Sequence, residues 1–359
     1  MINDIETPAV LIDLDIVEAN IAAAQRHFDA LGVRFRPHIK THKIPRLARL
    51  QLREGAQGIA CQKLSEAEVF AAEGFDDILL CFNLLSPAKI LRLRSLMATC
   101  RLTVVADNLE TVQALSAGFA GNPEKLAVLV ECDTGMGRCG VQTPQAAADL
   151  AHAIHNAPGL RFQGLMTYPA NGGETSVQAF MSAAKALCIA KVGHCNTISS
   201  GGTPTMVNAA LAPVVTEYRA GTYIYNDRSL VVQGSCDWPD CALTVLATVV
   251  SRPTPDRAII DAGSKSLTSD LLGLQGYGHV VEFPDAAITA LSEEHGTLRL
   301  NPDAPGPAIG QKLHIIPNHA CPVSNLFDHV TLHRSGEILR VELSSPAVAS
   351  TETSRKITS

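Results

Sequence analysis

The sequence predicts a (β/α)8 barrel followed by a smaller, mostly β domain. Three observations support this prediction. Short β-branched runs alternate with helix-like stretches over the first two thirds of the chain. Eight such runs occur at roughly even spacing, which is typical of a closed barrel. After about Asn226 few helical windows remain, and strands and turns follow one another.

The predicted elements follow from these runs. The barrel strands are 33–36, 58–61, 77–82, 102–106, 126–131, 162–167, 197–200 and 214–218. Helix-like segments lie between them at 64–73, 87–97, 109–117, 144–156 and 177–190. An open doubly wound sheet is the alternative, but it usually has fewer strands. It also carries GxGxxG after its first strand, whereas here that spacing occurs at Gly135 to Gly140, after the fifth.

The second domain is predicted from strands at 243–250, 258–261, 312–316, 330–333 and 338–342. We therefore expect a barrel domain over 8–235. We expect a β-rich domain formed by 1–7 and 236–359. The tail, 350–359, is polar and is expected to fray.

Composition restricts the class of protein. The 359 residues are 46% hydrophobic and 18% charged, enough for more than one core. The net charge of -6 argues against nucleic acid as a partner. No apolar run is long enough to span a bilayer, and no secretory signal is readable. Ten cysteines without a CxxC pair predict a reducing cytoplasm.

Lys40 is the first candidate for chemistry. It lies in Arg36-Pro37-His38-Ile39-Lys40-Thr41-His42-Lys43, directly after the first predicted strand. Neighbouring cations lower the pKa of an amine, which makes a lysine nucleophilic enough to form a Schiff base. In an extended segment, His38 and His42 would share the face of Lys40. Either could be a general base or a packed polar residue.

Polar residues follow several other predicted strands, where barrel enzymes place their sites. Glycine-rich segments after strands seven and eight would let backbone N–H groups approach a phosphate. A phosphate site together with a Schiff-base lysine indicates pyridoxal 5′-phosphate. From position alone, Arg138 could be a surface residue or a donor to the cofactor phenolate, and Tyr168 could be a core residue. The predicted cofactor-binding residues are Lys40, Gln62, Arg138, Tyr168, Ser200, Gly201, Gly202, Thr203, Gly221, Thr222 and Tyr223.

A metal pair is predicted far downstream, at His319 and Cys321. In an extended segment this spacing puts imidazole and thiolate on one face. Two protein ligands leave coordination positions open, as in a catalytic site. We expect a divalent ion (Zn, Mn, Mg or Co), and zinc suits sulfur best. Glu294 and His295 could support the pair or form a plain turn.

These residues resemble the fold-type III pyridoxal phosphate enzymes, which include alanine racemase. The chain is most similar to their metal-activated branch of D-threonine aldolases, D-serine dehydratases and D-3-hydroxyaspartate lyases. The resemblance extends over nearly the whole chain, from Thr7-Pro8 to Phe327-Asp328. Its markers are Arg36-Pro37-His38-Ile39-Lys40, Gln62-Lys63-Leu64-Ser65-Glu66-Ala67, Gly137-Arg138-Cys139-Gly140, Asp261-Ala262-Gly263, Glu294-His295-Gly296 and His319-Ala320-Cys321.

The resemblance implies a role for each marker. It implies that Lys40 carries the cofactor, that Arg138 lies at its phenolate, and that His319 and Cys321 bind the metal. It also implies a homodimer. The phosphate would be held by Gly201, Gly202, Thr203, Gly221 and Thr222.

The subfamily is open at this point. The segment around Lys40 is similar to the aldolases, whereas the His-x-Cys pair is similar to the dehydratases. The histidine that follows the tyrosine after strand six in aldolases has no counterpart beside Tyr168.

We therefore predict a lyase acting on β-hydroxy-D-amino acids, of the D-threonine aldolase type, which releases glycine and an aldehyde. The alternative is a D-serine or D-3-hydroxyaspartate dehydratase, which releases a keto acid and ammonia. A non-enzymatic cofactor carrier built on the barrel alone is a third hypothesis. The β domain and the metal pair argue against it.

Overall fold

The structure, a computed structural model, describes residues 2–343. Its strands are β1 (Ala9–Asp13), β2 (Arg34–Phe35), β3 (Ile59–Cys61), β4 (Asp77–Leu80), β5 (Arg101–Ala106), β6 (Leu126–Cys132), β7 (Leu160–Thr167), β8 (Thr197–Ser200), β9 (Glu217–Tyr218), β10 (Leu243–Thr254), β11 (Arg257–Ile260), β12 (His279–Val280), β13 (Ala287–Leu291), β14 (Gly296–Arg299), β15 (Lys312–Ile316), β16 (His329–Arg334) and β17 (Glu337–Leu343). Its α-helices are α1 (Leu14–Leu31), α2 (Pro45–Glu54), α3 (Leu64–Ala72), α4 (Pro87–Met97), α5 (Leu109–Phe119), α6 (Pro144–Asn156), α7 (Glu174–Val192), α8 (Arg228–Val232), α9 (Ser264–Leu267) and α10 (Ala320–Leu326). No helix among these residues is long and apolar enough to cross a membrane.

The described residues form two compact units. The barrel unit contains residues 24–40 and 45–221, and the β unit contains 2–23, 41–44 and 222–343. The domain boundaries expected from the sequence remain a prediction.

The barrel unit is built on eight parallel strands in the order β2-β9-β8-β7-β6-β5-β4-β3. A parallel bridge between His38 and Ala60 joins the continuation of β2 to β3. The amide of Ala60 also donates to the carbonyl of Pro37 at 2.9 Å. The predicted (β/α)8-type strand set is thus confirmed, with all eight strands in place.

Local sequence signals explain where the barrel helices begin and end. Side-chain oxygens of Ser86, Asn108 and Thr143 accept hydrogen bonds from the first turns of α4, α5 and α6. Helix α7 ends at Gly193, which has a φ of 93° in the left-handed region that glycine adopts readily. These signals are local, so the sequence located these helices closely.

The barrel interior changes from apolar to polar along the strands. Ala60, Leu79, Val105, Leu129 and Met166 form one buried apolar cluster. Because side chains alternate along a strand, the residues two positions further on face the same interior. Those positions are occupied by Gln62, Cys81, Asp107, Glu131 and Tyr168. The barrel interior is therefore lined mainly by polar side chains at the carboxyl ends of the strands.

The β unit contains a sheet in the order β13-β14-β11-β10-β1-β16-β17, with β15 paired to β10 and β12. The five strands predicted here are present as β10, β11, β15, β16 and β17. The sequence missed β12, β13 and β14. Strand β1 pairs with β10 and β16 in this sheet. Those partners lie more than 200 residues away, so no local pattern announces them. The predicted frayed tail lies outside the described residues.

Candidate active site

Three predicted site residues meet in the barrel unit. Lys40 lies in a 3-10 turn (Ile39–Thr41) after β2, and its Nζ is 5.9 Å from the centre of the Tyr168 ring. The guanidinium carbon of Arg138 lies 4.8 Å from the centre of the same ring. These residues follow β2, β6 and β7. An amine and a guanidinium thus flank one aromatic ring at the carboxyl ends of the strands.

The loop that carries Arg138 is held by a carboxylate. Oδ1 of Asp133 accepts hydrogen bonds from the amides of Gly135 (2.9 Å) and Gly137 (3.1 Å). Burial opposes ionisation of Asp133, but these hydrogen bonds outweigh it and hold its pKa below the usual value. Asp107 binds the amide of Gly140, at the other end of the loop, at 3.0 Å. The loop is thereby fixed on both sides of Arg138.

His38 is held by hydrogen bonds at both ring nitrogens. The amide of Lys40 donates to Nδ1 of His38 at 3.3 Å, so Nδ1 carries the lone pair. Nε2 of His38 lies 3.2 Å from Oε1 of Gln62, whose amide group donates to the carbonyl of Cys81 at 2.9 Å. These hydrogen bonds define a neutral His38 that carries its proton at Nε2. Gln62, a predicted cofactor residue, instead contacts His38.

The segment around Lys40 is not extended, so the prediction that both histidines share its face is wrong. The 3-10 turn rotates the side chains out of strand alternation. His42 belongs to the β unit, where its Nδ1 accepts from the amide of Ile44 at 3.0 Å. Its ring packs edge-on against Tyr225, 6.5 Å between centres.

The cationic neighbourhood inferred for Lys40 is largely neutralised. The guanidinium of Arg36 is buried and pairs with Asp77 at 2.7 Å and Glu217 at 2.9 Å. Burial opposes ionisation of Glu217, but Arg36 and a hydrogen bond from Ser199 hold its pKa below the usual value. The partners of Arg36 are 41 and 181 residues away, so the sequence around Lys40 does not reveal this neutralisation.

The glycine segment after β8 forms a tight cradle. Gly201 has a φ of 130°, and a Cβ there would lie 2.4 Å from the carbonyl oxygen of Arg219. A Cβ on Gly202 would lie 3.3 Å from the Tyr168 ring. A 3-10 helix (Thr203–Leu211) begins directly afterwards. Only glycine fits at the first position, and backbone that carries no side chain beside Tyr168 suits a phosphate.

The cofactor roles predicted for Ser200, Thr222 and Tyr223 remain predictions. Ser199, which is in register with Met166 on β7, donates to Glu217 and accepts from Arg219 inside the barrel. Ser200 therefore lies on the opposite face of β8. Thr222 and Tyr223 belong to the β unit.

Arg219 is a site residue that the sequence did not single out. It is buried and donates to Oγ of Ser199 at 2.6 Å and to the carbonyl of Thr167 at 2.8 Å. Its position directly after the eighth strand was the available signal. Glu131 is also buried; burial and Asp107 raise its pKa, although Arg219 acts in the opposite direction. A guanidinium and a carboxyl group thus lie buried near the carboxyl ends of β9 and β6.

These features fit pyridoxal 5′-phosphate. Lys40 supplies the amine, Arg138 a donor for an oxygen on the ring, and the Gly201 turn a phosphate cradle. The fit rests on side chains of the barrel unit, which converge on Tyr168 from different strands.

The predicted metal pair lies in the β unit. The expectation of an extended segment is wrong, because Cys321 lies in the first turn of α10 and His319 directly precedes that helix. The two side chains are still close enough for His319 to lower the pKa of Cys321 and for Cys321 to raise that of His319. Oγ1 of Thr41 and Oγ1 of Thr222 lie 3.1 and 3.3 Å from Sγ of Cys321. The helix start thus replaces strand alternation in bringing the pair together.

The surroundings of Cys321 change the pKa of its thiol. Burial raises the pKa of Cys321, but the hydrogen bonds from His319, Thr222 and Thr41 outweigh it and hold the pKa below the usual value. Burial lowers the pKa of His319, but Cys321 and the carboxylates of Asp227 and Asp270 outweigh burial and raise this pKa above its usual value.

The donor set fits a metal ion with open coordination positions. Nδ1 of His319 is buried and has no hydrogen-bond partner, and Oδ2 of Asp270 is 3.7 Å from it. Within residues 2–343, no group of three or more His, Cys, Asp or Glu side chains is placed to hold a metal. The protein thus offers one imidazole and one sulfur. Glu294 does not support them, since it pairs with Lys265 at 2.9 Å.

Comparison with known proteins agrees with this geometry. The model of the alanine racemase N-terminal domain matches residues 12–229. This chain belongs to that family. The model of a putative serine dehydratase domain matches residues 242–333. The family assignment therefore covers the barrel unit, and a dehydratase-type domain follows it.

Two curated relatives of this family member are an aldolase and a dehydratase by name. The chain is 36% identical to a D-threonine aldolase of Arthrobacter sp over 93% of this chain and 90% of that protein. It is 34% identical to a D-threo-3-hydroxyaspartate dehydratase of Delftia sp. (strain HT23), over 88% and 91%.

Solved structures extend the similarity to the family fold. A D-threonine aldolase from Filomicrobium marinum has a TM-score of 0.87, 29% identity and 97% coverage of both chains. The Delftia dehydratase has a TM-score of 0.85, 31% identity and coverage of 95% and 98%. That dehydratase has also been solved as a histidine-to-alanine variant and as a metal-free cysteine-to-alanine variant.

Proposed function

We propose that this chain is a pyridoxal phosphate- and divalent metal-dependent lyase of the D-threonine aldolase type. It cleaves β-hydroxy-D-amino acids between Cα and Cβ and releases glycine and an aldehyde. The observation that carries the proposal is the convergence of Lys40 and Arg138 on the Tyr168 ring. The similarity to an Arthrobacter D-threonine aldolase over 93% of the chain supports it.

In the barrel unit, Lys40 would hold the cofactor through Nζ. When bound, pyridoxal 5′-phosphate offers a carbon that amines attack and a ring that takes up the electron pair left at Cα. Arg138 would donate to the ring oxygen, and the turn at Gly201 and Gly202 would hold the phosphate. Tyr168 would then restrict the orientation of the ring.

His38 is proposed as a positioning residue, and not as the base expected from the sequence. Its Nδ1 lone pair is engaged by the amide of Lys40, so it is not available to a substrate proton. Nζ of Lys40 remains as the group that can move a proton at Cα: it would return a proton there after Cα–Cβ cleavage in the aldolase reaction, and would remove one in the dehydratase alternative. His42 engages its Nδ1 in the same way, with Ile44.

In the β unit, His319 and Cys321 would hold the metal, and the hydroxyls of Thr41 and Thr222 would stabilise the thiolate. When bound, a divalent cation supplies positive charge that stabilises a developing oxyanion. Zinc suits this nitrogen and sulfur pair, and Mn, Mg and Co are the other candidates. The substrate's β-hydroxyl is the oxygen that this chemistry requires.

We also propose that the chain is a homodimer, as its resemblance to the fold-type III enzymes implies. We propose a cytoplasmic location, because all ten cysteines are free thiols, as expected in a reducing compartment. The boundaries 8–235 for the barrel domain, with 1–7 and 236–359 for the β domain, belong to the same proposal.

One assay tests the function. The protein, reconstituted with pyridoxal phosphate, is incubated with D-threonine and with D-serine in the presence of zinc or manganese. Glycine and acetaldehyde from D-threonine are expected. Keto acid and ammonia as the products from both substrates would replace the aldolase assignment with the dehydratase one. A rate that a strong chelator leaves unchanged would remove His319 and Cys321 from the mechanism.

A further inference from the structure

A buried carboxylate holds the backbone between the two proposed metal ligands. Oδ2 of Asp227 accepts a hydrogen bond from the amide of Ala320, at 2.9 Å. Ala320 is the residue between His319 and Cys321. Asp227 is 0% exposed, so this hydrogen bond is not weakened by water.

The second oxygen of the same carboxylate accepts hydrogen bonds from a different segment. Oδ1 of Asp227 accepts from the hydroxyl of Ser229 at 2.6 Å and from the amide of Leu230 at 3.2 Å, which caps α8. One carboxylate thus caps a short helix and, with its other oxygen, holds Ala320. Both oxygens of Asp227 thus act as hydrogen-bond acceptors.

Two further hydrogen bonds align the same segments. The amide of Arg228 donates to the carbonyl of Pro317 at 3.0 Å, and the amide of Ser229 donates to the carbonyl of Asn318 at 3.2 Å. Residues 227–229 therefore lie along 317–320 as a clamp. The side chain of Asn318 is itself fixed, because its amide group donates to the carbonyl of Gly276 at 2.8 Å.

From this geometry we propose that Asp227 is the positioning residue that sets the spacing of the His319 and Cys321 side chains for a shared metal ion. The inference rests on the proposed metal site. His319 has extended backbone, whereas Cys321 lies in the first turn of α10, so the two side chains converge only if the peptide between them is held. Asp227 holds that peptide at its N–H and contributes no ligand atom itself.

Two variants of Asp227 separate positioning from capping. Asp227→Ser keeps an oxygen that can cap α8 but is too short to reach the amide of Ala320. Asp227→Asn has one acceptor oxygen and must present an NH2 group to one set of donors. The matched control is Ser229→Ala, which removes a donor to the same carboxylate and leaves the Ala320 hydrogen bond intact.

The test is binding of Co²⁺ to the cofactor-loaded protein, followed by the thiolate-to-cobalt absorbance band and by competition with a chelator. We expect Asp227→Ser and Asp227→Asn to bind Co²⁺ about 10- to 100-fold more weakly, with a shifted band. Ser229→Ala is expected to bind like the wild type, even where its thermal unfolding temperature is lower.

Failures of the two proposals are distinguishable. A folded Asp227→Ser protein with wild-type Co²⁺ affinity and an unchanged band would overturn the role of Asp227. If neither Asp227 variant folds, as judged by circular dichroism with a chelator present, Asp227 serves folding and the inference is also overturned. A Co²⁺ absorbance band that persists in the Cys321→Ala variant would instead reject the metal pair itself.

Discussion

The backbone N–H of Lys40 donates to Nδ1 of His38, with 3.3 Å between the nitrogen atoms. A general base needs an available lone pair, and this hydrogen bond occupies the one that neutral His38 carries. The imidazole is held from its other side by Gln62. His38 is thus placed to fix the turn that presents Lys40.

Substitutions of His38 distinguish a positioning role from a base. In His38→Asn the side-chain oxygen can take the place of Nδ1 and accept from Lys40, whereas His38→Ala leaves that amide without its acceptor. We expect the asparagine variant to keep most of kcat and the alanine variant to lose up to about 100-fold, through misplacement of the amine. The measurement is kcat against pH. Equal losses in both, with the acidic limb of the profile abolished, would restore His38 as a base.

Lys40 and Lys43 form a matched pair for testing cofactor attachment. Lys40→Ala is expected to abolish activity and the visible absorbance of lysine-bound cofactor, because no amine remains beside Tyr168 to react. Lys43→Ala removes a nearby amine that contacts Asn325 in the β unit, and should retain both signals. Absorbance that persists in the dialysed Lys40→Ala protein would place the cofactor on another lysine.

Gly201→Ala tests the cradle after β8. The new Cβ would lie 2.4 Å from a backbone oxygen of Arg219, at a φ that alanine rarely adopts. We expect cofactor to be lost on dialysis and stability to fall by more than the ~1–2 kcal/mol of left-handed backbone strain.

Gly172→Ala is the control for Gly201→Ala. Its φ is 70°, but a Cβ there has open space around it. The Gly172→Ala variant should lose stability through left-handed backbone strain and should retain the cofactor. Equal cofactor retention by the two variants would contradict a phosphate site at Gly201.

Glu217→Gln tests the buried ion pairs inside the barrel. Removing one carboxylate beside Arg36 should lower the free energy of unfolding by about 3 kcal/mol at pH 7. The pKa of Glu217 is lowered in the folded state, so its contribution is present above the unfolded pKa of about 4.3 and is lost as pH falls through the folded pKa.

Urea unfolding at several pH values follows this difference. The gap between wild type and Glu217→Gln should stay constant from pH 7 to about pH 5 and narrow below about pH 4. Glu73→Gln, in an exposed pair with Arg49, should change stability by less than about 0.5 kcal/mol. A gap that widens in acid would contradict the assigned direction.

Much of the fold could be predicted from local sequence patterns. Eight β-branched runs and their capped helices depend on near neighbours, so all eight barrel strands were located. Lys40, Arg138 and Tyr168 were recognisable because each follows a predicted strand, and parallel strands bring their carboxyl ends together.

Other features depend on contacts that no local pattern encodes. The partners of Arg36 are 41 and 181 residues away, and the carboxylate that holds Ala320 is 93 residues away. The strand at Ala9–Asp13 joined the second sheet because its hydrogen-bond partners lie there. Only the folded chain therefore makes His38 an acceptor for the amide of Lys40. Likewise, only the fold places His319 and Cys321 at the start of a helix. Sequence periodicity describes what a segment can form, whereas long-range hydrogen bonds select its partners and the atoms left available for chemistry.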